Sequence, residues 1–176
     1  MNNGALKGCK CFVNYDVINK EFTIDRIKDA YDWIASVANN DTDSEDEDEP
    51  ICQKQDPKFS ETTAPKTAKD GKPSVEEKAA EWCEKMDGKT VTNGGDPEFQ
   101  FNEYYLSTFW LSASYRNSAA KRLKCGKEAK ISKNDCIKSI NTAVKKCDPK
   151  DGFTHGASMG KGCIFYVCVI VKAIET

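Results

Sequence analysis

Asp135-Cys136, Cys147-Asp148, Gly156 and Gly162-Cys163-Ile164-Phe165-Tyr166 follow one another in the last quarter of the chain. Ser132-Lys133-Asn134-Asp135 opens this stretch as a helix start, with a serine N-cap and an acid in the first turn. Pro149 closes the helix. Cys136 and Cys147 are eleven residues apart, nearly three whole turns, so both thiols share a face with Ile140 and Ala143. About 16 Å of helix axis separates them, too far for a mutual bridge. Each must pair outward, with Cys83, Cys125, Cys163 and Cys168 as the expected partners. From Cys163 to Ile174, Phe165, Val167, Val169 and Val171 alternate with Ile164, Tyr166, Cys168 and Ile170, the pattern of a strand covered on both faces.

Working outward, Ser74-Val75-Glu76-Glu77 forms a capping box, and Val75, Ala79, Cys83 and Met86 line one face until Gly88. A helix is expected over 74–87. Phe109, Leu111, Ala113 and Tyr115 alternate with Trp110, Ser112 and Ser114, so 104–115 reads as a long strand or a hairpin arm. The aromatic set Tyr104, Tyr105, Phe109, Trp110 and Tyr115 reads as core rather than as an exposed platform. Thr23 caps a further helix over 23–37, with Ile24, Ile27, Tyr31 and Ile34 as its stripe. Cys9 to Tyr15 is short and β-prone.

Between these parts the composition changes. Asn39 to Pro50 is like-charged, almost entirely acidic from Asp41 to Glu49, and Lys58 to Pro73 is rich in Lys, Thr, Ala and Pro. Such a stretch buries too little apolar surface to offset its ordering entropy. The expected organisation is an N-terminal strand and helix segment over 1–38, an acidic disordered insert over 39–73 that Cys52 tethers, and a cysteine-rich α+β core over 74–176. Together they make one globular domain.

Nine cysteines against three methionines suit an oxidising compartment. Zinc needs close-spaced Cys or Cys/His sets. Only Cys9-Lys10-Cys11 is close-spaced, and the chain has one histidine, so no metal site is expected. Eight of Cys9, Cys11, Cys52, Cys83, Cys125, Cys136, Cys147, Cys163 and Cys168 are expected to be paired, in a connectivity that sequence does not give. The chain therefore reads as secreted and extracellular. Asn40-Asp41-Thr42 is a glycosylation sequon that fits this route. Met1 to Ala5 lacks the basic and apolar regions of a signal peptide, so the secreted reading takes the chain as a mature form with a start methionine added. No run reaches the ~20 apolar residues of a membrane span.

Net charge is −2, but the signs are segregated. From Arg116 to Lys150 lysine and arginine face only Glu128, Asp135 and Asp148. A solvated helix face is the ordinary reading of such a run; a surface for a polyanion, or for the acidic segment itself, is the functional one. Lys121-Arg122 in this stretch is a dibasic pair, a weak candidate for proteolytic processing.

The catalytic signals are thin. Gly156-Ala157-Ser158-Met159-Gly160 matches a nucleophile-elbow pattern, but that mechanism wants a strand before the serine, a helix after it and a downstream histidine. Here a helix precedes, a strand follows, and only the adjacent His155 is at hand. The plain reading is a glycine-rich loop. Glu98, Glu103 and Asp151 are carboxylates without a placed partner. Gly160-Lys161-Gly162 lacks the hydroxyl residue and helix of a phosphate loop, so neither a nucleotide nor another cofactor is expected.

From about Ser74 to Thr176 the chain resembles a motif of fungal small secreted cysteine-rich proteins. That motif recurs in candidate effectors, in killer-toxin-like proteins and beside some secreted fungal chitinases. The resemblance rests on Ala80-Glu81-Trp82-Cys83, the aromatic strand, Ser132 to Ile137 through Cys147-Asp148, His155-Gly156-Ala157, and Gly162-Cys163-Ile164-Phe165-Tyr166. It departs from the motif in having Ala157 where a second glycine is usual and in the additional Cys168. It implies helices packed on an antiparallel sheet. It also implies a non-enzymatic effector or toxin-like protein that acts by binding a host or competitor protein or a cell-surface component. The alternative is a small secreted hydrolase or nuclease using His155 and Ser158.

Overall fold

The computed structural model describes residues 32–34, 49–53, 63–68, 73–104, 107–150 and 152–172. The expected strand at Cys9 to Tyr15, both of its cysteines, and all of the 23–37 helix except 32–34 lie outside them. Asp32, Trp33 and Ile34 are helical, and Trp33 and Ile34 are buried.

The fold is α+β, with helices on an antiparallel sheet and disulfides between the layers. Its strands are β1 (Ile51–Cys52), β2 (Ala64–Pro65), β3 (Thr90–Thr92), β4 (Glu98–Tyr104), β5 (Ser107–Tyr115), β6 (Glu128–Lys130), β7 (Phe153–Thr154), β8 (Gly156–Lys161) and β9 (Ile164–Lys172). The main sheet runs β1-β8-β9-β5-β4, while β2 pairs with β7 and β3 with β6. Every pairing is antiparallel.

Two helices cover one face. α1 (Val75–Met86) starts at Ser74, whose side chain accepts from the Glu77 amide while the Glu77 carboxylate accepts from the Ser74 N–H. A cap of this kind contributes about 1 kcal/mol. α2 (Lys133–Cys147) starts at Ser132, which accepts from the Asp135 amide. Asp87, at the end of α1, accepts from the first amide of α2 at 2.8 Å, so one helix end helps to cap the other start. Cys83 late in α1 is bonded to Cys136 early in α2, and Glu76 early in α1 pairs with Lys145 late in α2 at 3.7 Å. The helices are therefore antiparallel.

The core lies between this helix pair and the sheet. Val75, Ala79, Trp82, Cys83 and Met86 of α1 meet Cys136, Ile140, Ala143, Val144 and Cys147 of α2. Beneath them lie Phe109, Leu111, Ala113 and Tyr115 of β5, with Ile164, Tyr166, Cys168 and Ile170 of β9. Burying each of the larger side chains contributes roughly 1.5–3 kcal/mol. The aromatics of β5 are core, as expected: Phe109, Trp110 and Tyr115 are all buried. The opposite sheet face is buried too, through Trp110, Ser112, Ser158, Phe165, Val167 and Val169. That matches the two-sided hydrophobic reading of β9.

Two expectations need correction. The insert over 39–73 is built into the fold at its described points. Ile51 and Cys52 extend the sheet beside Ser158 and Ala157, and Ala64 and Pro65 pair with Thr154 and Phe153. Gln53 is wholly buried: its amide donates to the Ile170 carbonyl at 2.7 Å and accepts from the Ile170 N–H at 2.8 Å. A single side chain thus supplies both hydrogen bonds of a ladder rung, which composition does not register. The second correction is the 156–160 loop, which is strand β8. Gly156 leaves room for Gln53, and Gly160 for the buried Arg116 guanidinium that a Cβ would strike. Both glycines allow this close approach, and Gly156 also has a φ of +100°. Gly162, with φ of 55°, turns the chain between β8 and β9. It stands first in the two-residue link that pairs Lys161 with Ile164.

Candidate functional site

Among the described residues there are three disulfides: Cys52–Cys147 joins the sheet to α2, Cys83–Cys136 joins the two helices, and Cys125–Cys163 ties the loop at Cys125 to the β8–β9 link. Cys136 and Cys147 are in different bridges, as the helix spacing requires. The partner of Cys147 was missed from sequence. Cys52 stands opposite Ala157 in the sheet, so its side chain shares the helix-facing side with Ala157, under the end of α2. Cys168 is a free, buried thiol on β9. Burial pushes its pKa well above the ordinary thiol range, so it is an inert core residue. Cys9 and Cys11 are outside the described residues, and their pairing with it.

The end of α2 carries the densest polar cluster among the described residues. Asp148 is the C-cap and is buried, and its amide donates to the Val144 carbonyl at 3.1 Å. A carboxylate at a helix C-terminus opposes the helix dipole, so it needs donors, and the following turn supplies them. Asp148 Oδ2 accepts from Thr154 Oγ1 at 3.0 Å and from the His155 amide at 2.9 Å. Its Oδ1 is 2.9 Å from His155 Nδ1. Lys66, itself buried, donates its ammonium to the Asp148 carbonyl. The Lys66 backbone donates to Gly152 and accepts from Glu76, both at 2.9 Å, so the segment holding β2 ties the start of α1 to the turn after α2.

Burial alone would raise the Asp148 pKa. The His155 amide, the His155 ring and the Thr154 hydroxyl outweigh it, and the carboxyl is held below its ordinary value of 3.8. A carboxyl with a lowered folded pKa contributes stability above its unfolded pKa and loses it as pH falls through the folded one. Acidification below the ordinary carboxylate range should therefore destabilise the protein partly through Asp148. The Asp148→Asn variant is expected to be less stable at neutral pH and to lose less on acidification. Urea titrations across that range check this; parallel pH curves for the two proteins would remove Asp148 from the account.

With Asp148 ionised, Nδ1 carries the proton of this hydrogen bond and Nε2 is left as the acceptor. The His155 side chain is 23 % exposed. A buried carboxylate orienting an accessible imidazole is the geometry of a general base, which still needs a nucleophile in reach. Ser158 is not that nucleophile. Along β8, Ala157 and Met159 face the helices, while Ser158 faces the other side of the sheet. Ser158 is fully buried, and its hydroxyl has no hydrogen-bond partner among the described residues. The structure does not bring His155 and Ser158 together. Glu98 pairs with Lys89 at the surface at 3.5 Å, and Asp151 lies outside the described residues. Among the described residues no three His, Cys, Asp or Glu side chains gather as metal ligands. No described helix is long and apolar enough to cross a membrane.

Lys121 and Arg122 are exposed in the turn segment 117–124. A cut between them would leave two chains joined by Cys52–Cys147 and Cys83–Cys136. One further feature has an open face. Asp135, Lys138, Ser139, Thr142 and Lys146 of α2, with Met159 and Lys161 of β8, line a groove of about 160 Å³.

Comparison with protein-family models, with curated protein sequences and with solved structures finds no match.

Proposed function

We propose that this chain is a secreted protein that works by binding, an effector or toxin-like protein of the fungal cysteine-rich kind. It engages a host or competitor protein or a cell-surface component and has no catalytic step of its own. The covalent frame carries this reading. Six cysteines are spent on bridges that join β1 to α2, α1 to α2, and the loop at Cys125 to the β8–β9 turn. Such a frame persists outside the reducing cytosol. It suits a protein that must hold one surface rigid without a large core.

A second reading is favoured by one observation, the Asp148–His155 pair, which would serve a hydrolase or nuclease as its oriented base. Separate His155→Ala and Ser158→Ala variants discriminate the two. Each would be applied to target cells to read growth inhibition or cell death, and to their extracts to read binding and hydrolysis. On the binding reading both variants keep their effect, since a single residue such as His155 rarely carries a whole interface and Ser158 is buried within β8. Ser158→Ala should also fold at least as well, because it removes a buried hydroxyl without a partner among the described residues. Loss of activity in His155→Ala, with disulfides and near-UV spectrum intact, would favour the enzyme.

A further inference from the structure

The groove between α2 and β8 differs in chemistry from the rest of the helix surface. Asp135, Lys138, Ser139, Thr142 and Lys146 follow the helical repeat and form one stripe along α2. Met159 and Lys161 close the other wall from the end of the β8–β9 hairpin. The floor is small and partly polar: Ser139 and Met159 are buried and Thr142 is half-buried. The rim carries three ammonium groups and one carboxylate. Among the described residues Lys138 and Lys161 have no ion-pair partner, whereas Lys133 and Lys145 on the same helix are paired with Glu84 and Glu76. α2 thus spends two of its lysines on α1, while Lys138 lines the groove together with Lys161.

From this geometry we infer that the groove is a binding site for a sulfate or carboxylate group carried on an acidic polysaccharide. A volume of about 160 Å³ corresponds to about five waters at ~30 Å³ each, room for an anionic headgroup and its first sugar atoms. It lies below the ~300–1,000 Å³ of sites that enclose a whole small ligand. The cations are all lysines, point charges on flexible stems, with no guanidinium fork of the kind that grips phosphate in two places. Ser139 and Thr142 put polar side chains among the lining residues between the lysines. Asp135, at the N-terminal end of the stripe and ~16 Å along the axis from Lys146, repels an anion toward the Thr142–Lys146 end. The choice of a polysaccharide rests on the extracellular reading above; the anion site rests on the groove alone.

The test uses the full-length oxidised protein, heparin and polygalacturonate as probes, and dextran as the uncharged reference. Two further arms, anionic phospholipid vesicles and a single-stranded oligonucleotide, report the other sources of negative charge. Lys138→Gln, Lys146→Gln and Lys161→Gln combined should weaken polysaccharide binding by about tenfold or more. Lys85→Gln, Lys127→Gln and Lys130→Gln combined remove the same charge from exposed sites elsewhere and should change it less than about threefold. Asp135→Asn should strengthen it, and salt should weaken it throughout. Amide shifts on heparin titration should centre on Ser139 and Thr142. Equal losses in the two triple variants, or no binding to any of the four anionic probes, would overturn the anion site. Binding confined to vesicles or oligonucleotide would overturn the polysaccharide assignment, with the groove variants still reporting whether the site is real.

Discussion

Replacing Cys52 and Cys147 together by alanine is expected to lower the unfolding free energy by about 4.7 kcal/mol, the loop-closure value for a crosslink of this span. The two cysteines are 95 residues apart in sequence. Against a typical total of roughly 5–15 kcal/mol, that loss brings the protein close to its unfolding limit. The effect is also directed. β1 has two residues and, among the described residues, pairs with Ser158 and Ala157 alone; the bridge to α2 and the Gln53 clamp add to its hold. Without the bridge, the Ile170 amide that Gln53 accepts from should exchange faster than amides near Cys83–Cys136. Denaturant titration of the double variant, paired with hydrogen exchange, reads both. A loss below about 1 kcal/mol, or exchange that rises uniformly, would mean that β1 is held by packing alone.

The helices were legible because their signals are local. Ser74 with Glu77 and Ser132 with Asp135 are each three residues apart, and both caps form as written. The two-sided alternation of β9 was legible for the same reason. Three things were not. The first is the partner of Cys147, because what brings Cys52 near is a two-residue strand inside a stretch whose composition reads as unpacked. The second is β8. Its glycines look like loop residues, and only the guanidinium over Gly160 and the amide beside Gly156 explain them. The third is the relation of His155 to Ser158. They are near in sequence, and the two-residue period of a strand sends Ser158 away from the helix side where His155 is held. The real partner of His155 is Asp148, which sequence marked only as the residue after Cys147. A turn has to fold before those two meet, and no local pattern encodes that turn.

The same reasoning makes Gly156 the most sensitive single position in the sheet. Its φ is +100°, outside the range that L side chains adopt comfortably. A Cβ there would stand 2.7 Å from the Cys168 carbonyl oxygen and closer still to Gln53 Oε1. The carbonyl belongs to a strand paired on both sides and cannot retreat, so the Gln53 side chain must move. That breaks the two hydrogen bonds between Gln53 and Ile170, at about 1–3 kcal/mol each, in addition to roughly 1–2 kcal/mol of backbone strain. Gly156→Ala is therefore expected to destabilise by about 3–8 kcal/mol, far beyond an ordinary surface substitution. The mechanism also predicts a coupling. Gln53→Ala has already given up the two hydrogen bonds, so adding Gly156→Ala to it should cost only the strain and the carbonyl contact. The double variant should fall short of the sum of the singles by at least about 1 kcal/mol. Thermal or urea unfolding of the four proteins gives the cycle. Additive losses would show that Gly156 is needed for its backbone angle alone and that the Gln53 clamp is independent of it.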